Sequence, residues 1–366
     1  MNARELALVG QVRYITLSEF KPDSGTAAIS FYYEGSNGSR SVRMNLLTGE
    51  ILPSAPQPRG AAPPGFPVPD DPTKVASPSG RLVLYDEISE GRGIVIKTAK
   101  GRQVGELSGK QLQSLSDIAP TPDDAHLTYT VADSEESHGK EAGFYLYSIK
   151  TGKSKLLVKG PTRGPVRSPD GRFLVLICVQ TRASKGLPES IRNRVGTLVV
   201  LDGKRGFKRV FSGSKLVEGL QSKSFQFSPA GGRIAFIELA RDEYGGYDNT
   251  SLQVLDIESE RVTTLVTGRR TPDFLWAGES AVAITTYNKF AVPTLSFVDL
   301  ASLKATPLTT NPELSYMKPL AYIPTGRRVA YAASRHIPEE GPEELWAVEP
   351  GRQPVRLFPR IKRSQP

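Results

Sequence analysis

The chain is short of the residues from which many catalytic and metal centres are built. Its 366 residues hold one cysteine, Cys178, which excludes an intrachain disulfide. Cys178 sits inside the apolar run Phe173-Leu174-Val175-Leu176-Ile177-Cys178-Val179 and reads as a buried, inert thiol. There are three histidines, His126, His138 and His336, too few and too scattered along the chain to suggest a shared metal. Paired-cysteine metal motifs, phosphate-cradling or dinucleotide glycine loops and sialidase-type Asp boxes are absent, so neither a cofactor nor a metal is expected.

Long apolar stretches are missing too, which excludes a membrane-spanning helix. The opening MNARELALVGQVRYITL has neither the apolar core nor the small-residue cleavage pattern of an export signal. The expected location is therefore the cytoplasm as the chain is written, or the periplasm or exterior if it is a processed mature form. No segment keeps a 3.6-residue apolar period between two caps, so almost no helix is expected, apart from one short turn within 182–194.

What the chain has in quantity is turn chemistry, with 34 glycines and 29 prolines. The excess of nine positive charges reads as scattered, its densest run, Lys204-Arg205-Gly206-Phe207-Lys208-Arg209, being a solvated turn. No nucleic-acid partner and no membrane insertion are expected from it.

One phrase recurs. Ser168-Pro169-Asp170-Gly171-Arg172 precedes an apolar strand, as do Ser77-Pro78-Ser79-Gly80-Arg81, Thr121-Pro122-Asp123-Asp124, Ser228-Pro229-Ala230-Gly231-Gly232-Arg233 and Ile323-Pro324-Thr325-Gly326-Arg327. Degenerate copies stand at Lys21-Pro22-Asp23-Ser24-Gly25 and Trp276-Ala277-Gly278-Glu279. Proline presets φ at the second turn position, Asp ties down the turn backbone and Gly takes a positive φ, so each phrase closes a hairpin. Seven copies at intervals of about fifty residues give a propeller period.

A second signal follows each phrase. Apolar strand, polar turn and strand recur at Tyr147-Ser148-Ile149-Lys150-Thr151-Gly152-Lys153, Val254-Leu255-Asp256-Ile257-Glu258-Ser259-Glu260-Arg261-Val262 and five further places. Two hairpins per unit make four strands. The fold class is all-β, a seven-bladed β-propeller of four-stranded antiparallel blades, with six or eight blades as the weaker counts. The chain is read as one domain, with blades near 11–52, 74–108, 118–159, 165–213, 223–267, 272–309 and 318–360, and 52–73 as a proline-rich inter-blade loop.

The turn phrase, its apolar strand and the following strand ending in forms such as Ile149-Lys150-Thr151-Gly152 resemble the WD-like repeats of TolB-type propellers, over about residues 11 to 360. Prolyl oligopeptidase-like enzymes carry the same repeat. The resemblance implies the fold and leaves function open among docking platforms, gating domains, lectins and enzymes. A hydrolase reading is excluded at this level: Gly278-Glu279-Ser280-Ala281-Val282 breaks the Gly-x-Ser-x-Gly elbow at its last position, and no room remains for a hydrolase domain. The oligogalacturonate lyases, which resemble this fold, use a metal held by a histidine cluster. The three histidines here do not converge readily.

In an up-and-down blade the proline turns and outer hairpin turns share one face, and the longer, more varied loops share the other, where binding is normally built. On that long-loop face stand Arg182, Arg192 and Arg194, forks suited to carboxylate or phosphate. Beside them come Tyr244, Tyr247 and Asp248 in a paratope-like stretch, then Tyr287 and His336. These eight are the candidate ligand- or partner-binding residues, and none is assigned a catalytic role. The expected function is a monomeric, non-enzymatic scaffold that engages a protein or peptide through this face. The alternative is a propeller enzyme, a lyase or glycan-active hydrolase with its site at the channel mouth, or a lectin-like binder of carbohydrate.

Overall fold

The computed structural model describes residues 12–33, 39–52, 74–77, 79–87, 93–107, 115–131, 142–179, 195–213, 217–218, 225–240, 249–268, 272–335 and 344–358. Among them there is no α-helix, and none that is long and apolar enough to cross a membrane. The strands run in chain order through seven four-stranded antiparallel blades, the seven-bladed β-propeller class. Blade 1 is β1 (Val12–Lys21), β2 (Thr26–Tyr33), β3 (Ser39–Asn45) and β4 (Glu50–Ile51); blade 2 is β5 (Lys74–Ala76), β6 (Leu82–Glu87), β7 (Gly93–Thr98) and β8 (Gln103–Leu107). Blade 3 is β9 (Leu115–Pro120), β10 (His126–Val131), β11 (Gly143–Ser148) and β12 (Lys153–Lys159); blade 4 is β13 (Thr162–Arg167), β14 (Phe173–Val179), β15 (Val195–Asp202) and β16 (Lys208–Ser212). A two-residue strand, β17 (Val217–Glu218), follows. Blade 5 is β18 (Phe225–Phe227), β19 (Arg233–Ala240), β20 (Asn249–Asp256) and β21 (Arg261–Gly268). Blade 6 is β22 (Asp273–Trp276), β23 (Ala281–Tyr287), β24 (Pro293–Asp299) and β25 (Ala305–Thr310); blade 7 is β26 (Tyr316–Ile323), β27 (Arg328–Ser334), β28 (Glu344–Val348) and β29 (Val355–Phe358).

The chain forms two compact units. One comprises Met1–Gln57, Ala240–Val254 and Val262–Pro366; the other comprises Pro58–Leu239 and Leu255–Arg261. In the second unit β17 pairs with both β15 and β19, stitching blades 4 and 5 into one nine-stranded sheet.

Burial explains the strand composition. The second and third strands of blade 4 are covered on both faces, so β14 and β15 read Phe-Leu-Val-Leu-Ile-Cys-Val and Val-Gly-Thr-Leu-Val-Val-Leu-Asp with hardly a break in burial. Outer strands face water, as in β21, where five of eight residues are exposed and none is buried. In the second unit the cores lie between blades: Leu127, Tyr129 and Val131 against Leu84 and Ile96, Phe144 against Leu174 and Leu176, and Val175 and Val200 with Phe236. In the first unit Ile29, Met44 and Leu46 of blade 1 meet Ile323, Ala330 and Leu345 of blade 7. Arg328 reinforces that junction through Glu349 and the Leu47 carbonyl.

The recurrent phrase is the hairpin turn its chemistry demands. Gly171 has φ +71°. Its N–H donates to the Ser168 carbonyl at 2.8 Å, Ser168 Oγ accepts the Phe173 N–H at 2.8 Å, and Asp170 Oδ1 accepts the Arg172 N–H at 3.1 Å. In blade 3, Asp124 occupies the glycine position with φ +56°. Neighbouring turns touch: a Cβ on Gly171 would lie 2.7 Å from Pro122 Cγ, and one on Gly231 3.1 Å from Ser168 Cβ. Ser79 donates to Asp124 across from blade 2.

Candidate functional site

Of the eight residues named from sequence, Arg182, Arg192, Arg194, Tyr244, Tyr247, Asp248 and His336 lie outside the described residues, as does His138. Tyr287 ends β23, half-buried and opposite Pro293. It opens a tight tip in which Asn288 Oδ1 accepts the N–H groups of Phe290 and Val292 at 2.9 and 3.1 Å, leaving Phe290 74% exposed. Cys178 is half-buried rather than buried. Its Sγ lies 3.6 Å from the Lys159 carbonyl, and burial raises its pKa, so it stays a thiol. Among the described residues no three His, Cys, Asp or Glu side chains converge as a metal group would require.

The first, innermost strands of blades 3 and 4 carry the polar residues most suggestive of chemistry. Each strand has a bulge, two residues facing one on its partner. Asp117 and Ile118 stand opposite Tyr129 between the pairs Thr128↔Ala119 and Thr130↔Ser116. Gly164 and Pro165 stand opposite Leu176 between Arg163↔Ile177 and Val166↔Val175. The first bulge residue is left-handed in both, at φ +60° for Gly164 and φ +53° for Asp117. Such a bulge is ordinarily built on glycine because a Cβ is strained there. Blade 4 obeys that rule. Blade 3 puts an exposed carboxylate in the strained position, accepting the Ser116 hydroxyl at 3.3 Å. On β13 the residue before the bulge glycine is Arg163, also exposed, and half-buried Gln226 follows on β18. These strands are close: a Cβ on Gly164 would come 3.6 Å from the Phe225 ring. Asp117 and Arg163 both lie toward the strand end remote from the proline turn.

Toward the turn end lies a buried polar seam between the same two blades. Arg167, last residue of β13, donates Nη2 to Thr128 Oγ1 at 3.0 Å, and burial lowers its pKa from the ordinary guanidinium value. Asp123 Oδ2 stands 3.5 Å from His126 Nδ1. Seven buried side-chain polar atoms among the described residues lack a hydrogen-bond partner, and three lie at this turn end: on Asp124, His126 and Arg167. His126 thus sits against its own blade's turn, beside Asp123. Sequence reasoning reached His126 only as a histidine beside a turn, and it missed Arg167, Asp117 and Arg163. Aligning the copies on their prolines was the available signal, since five residues before Pro122 and Pro169 stand Asp117 and Gly164.

No protein-family model matches the chain. No curated protein matches it by sequence. Solved structures do. Dipeptidyl peptidase 4 of Porphyromonas gingivalis is similar over 97% of this chain and 55% of its own, at 10% identity and a TM-score of 0.48. An oligogalacturonate lyase in complex with manganese is similar over 92% of this chain and 91% of its own, at 11% identity and 0.43. TolB from Acinetobacter baumannii is similar over 81% of this chain and 63% of its own, at 14% identity and 0.30. The chain spans about half the length of the peptidases it matches, 55% of that dipeptidyl peptidase and 40% of an acylaminoacyl peptidase. The propeller fold rests on the sheets themselves. The expectation of a non-enzymatic scaffold is corrected against these structures, which are acylaminoacyl, dipeptidyl and prolyl peptidases and a lyase, and it is not carried further.

Proposed function

We propose that the chain is a propeller of TolB-type repeats belonging to an enzyme that acts on an acidic carbohydrate, as a lyase or glycan-active hydrolase. In this reading Asp117 is the proton acceptor and Arg163 the anchor for a substrate carboxylate. The observation that supports it is Asp117 itself, an exposed carboxylate in a left-handed bulge of an innermost strand, where the next blade has Gly164. Backbone strain of this kind costs on the order of 1 kcal/mol or more and gathers at sites of function. Asp117 and Arg163, on the first strands of neighbouring blades, supply two of the groups a lyase needs, one to take a proton and one to hold the substrate anion in register.

The test sets activity against stability. The purified chain is assayed on acidic oligosaccharides, beside Asp117→Asn, Asp117→Gly and Arg163→Gln. Loss of a general base costs about 10²–10⁴ in kcat, and both Asp117 variants should show it. Asp117→Gly should at the same time raise the melting temperature, because glycine relieves the left-handed strain. Arg163→Gln should act mainly through KM. Turnover retained by Asp117→Gly would refute the assignment.

A further inference from the structure

The net charge is not scattered, as the sequence alone suggested. Three stretches, 97–107, 149–159 and 202–213, hold eleven Lys and Arg against two acids, Glu106 and Asp202, which accounts for the entire formal charge of +9 of the chain. These stretches are the outer hairpins and outermost strands of three consecutive blades, 2, 3 and 4, within one compact unit.

Their environment sharpens the point. Lys100, Arg102, Lys150, Lys153, Lys155 and Lys208 are exposed and form no ion pair among the described residues. Asp202 is buried at 1% and already engaged by Arg172, by Arg205 and by the Lys204 N–H. Glu106 accepts from Gln103 at 3.3 Å. The acids of the adjacent proline turns are also occupied, Asp123 and Asp170 by their own turn backbones. Blade 5 ends the row, because its hairpin reads Glu258-Ser259-Glu260. In the other compact unit arginines 43, 328, 335, 352 and 356 pair with glutamates, while Lys21, Lys289, Lys304 and Arg327 stand exposed, singly, with no ion pair among the described residues. Lysines on an outer strand also guard against edge-to-edge pairing. Yet β21 and β25 are outer strands without a lysine, so the fold does not require one there.

We propose that this basic rim of blades 2–4 docks an extended acidic polysaccharide. The choice of a glycan rests on the function proposed above; the polyanionic character of the partner rests on the charge alone. The aromatic rings of the stretches face inward, Phe207 being 9% exposed and Phe211 packed against the core, so no base could stack and no aromatic anchor could enter a lipid interface. Recognition falls to repeated charge, which fits a chain carrying a carboxylate on successive sugars.

The experiment measures binding of a fluorescent alginate oligomer to the full chain at low salt, with uncharged dextran, an RNA duplex and anionic vesicles as comparators. Alginate should bind, dextran should not, and added salt should weaken binding steeply. Replacing Lys100, Lys150, Lys153 and Lys208 together by Gln should weaken it at least ten-fold, with melting temperature and turnover of short oligosaccharides unchanged. Arg352→Gln, in the other unit, should leave it intact. Unaltered binding by the quadruple variant, or tighter binding of RNA or vesicles than of alginate, would overturn the proposal. Asp117→Asn separates the two readings, because it should lose turnover while keeping alginate affinity. Alginate binding without turnover of any acidic oligosaccharide would refute the enzyme and leave the rim standing.

Discussion

Arg167 and Thr128 join blades 3 and 4 through one hydrogen bond in a region where partners are scarce. A guanidinium half satisfied in a buried seam stabilises little, because desolvation offsets its attraction to Asp123. Replacing it with a flexible apolar chain removes the charge and its orphaned Nη1 together. Arg167→Met is therefore expected to fall within about 1 kcal/mol of wild type, or to stabilise. Thr128→Val should be worse, by about 1–3 kcal/mol, because it strips the partner from Nη2 and leaves the cation buried. Urea unfolding of both variants and of the double variant checks this. The double variant should recover most of the loss, and a simple sum of the two effects would show that the seam is not coupled.

At the scale of the element, the proline turn allows a controlled comparison. Gly80 and Gly171 share φ +71°, but a Cβ meets nothing within 4 Å at Gly80 and meets Pro122 Cγ at 2.7 Å at Gly171. Gly80→Ala should lower stability by about 1 kcal/mol through backbone strain alone, and Gly171→Ala by clearly more, since the rigid proline of the next blade cannot yield. Equal losses by thermal melting would mean the turns do not bear on one another. This pair also marks what the sequence could convey. Turn chemistry is local, so Ser168-Pro169-Asp170-Gly171 announces its conformation from four adjacent residues. The contact with Pro122 needs the neighbouring blade. Asp117 was hidden for a related reason: Leu-Ser-Asp-Ile-Ala-Pro reads as a plain strand until the copy in the next blade supplies the glycine. Each basic hairpin, taken singly, is an ordinary solvated turn, and only their succession on adjacent blades makes a rim. The fold class was legible because it depends on the repeated local signal.

For the molecule as a whole, carboxylates in turns and blade junctions set the response to acid. Burial works against ionisation of Asp123, Asp170 and Asp256, yet hydrogen bonds outweigh it and hold each below the usual range; their donors include Thr121, Ser168 and Ser259 respectively. For Asp299 and Glu349 the hydrogen bonds from Ser302 and Arg328 are the leading cause of the same shift. A depressed folded-state pKa contributes stability that is fully present above the unfolded value, about 4, and is lost as pH falls through the lower folded value. The melting temperature should therefore hold steady from neutrality to about pH 5 and drop as pH falls below about 4. Glu349→Gln should flatten part of that drop. A curve that falls instead between pH 8 and 6 would assign the control to other groups.

Blade 1 and blade 7 are each complete, neither lending a strand to the other, and blade 3 likewise opens and closes its own sheet. Sheet boundaries thus coincide with stretches of continuous chain, so an unequal recombination between two such stretches would gain or lose a whole blade and disturb no hydrogen-bonded ladder. Blades 4 and 5 are the exception. Their linker contributes β17 to both, and a break there would strip Val217 from Gly196 and Glu238 together. Copy number can drift elsewhere in a lineage of such proteins, while this stitched pair has to be inherited as one.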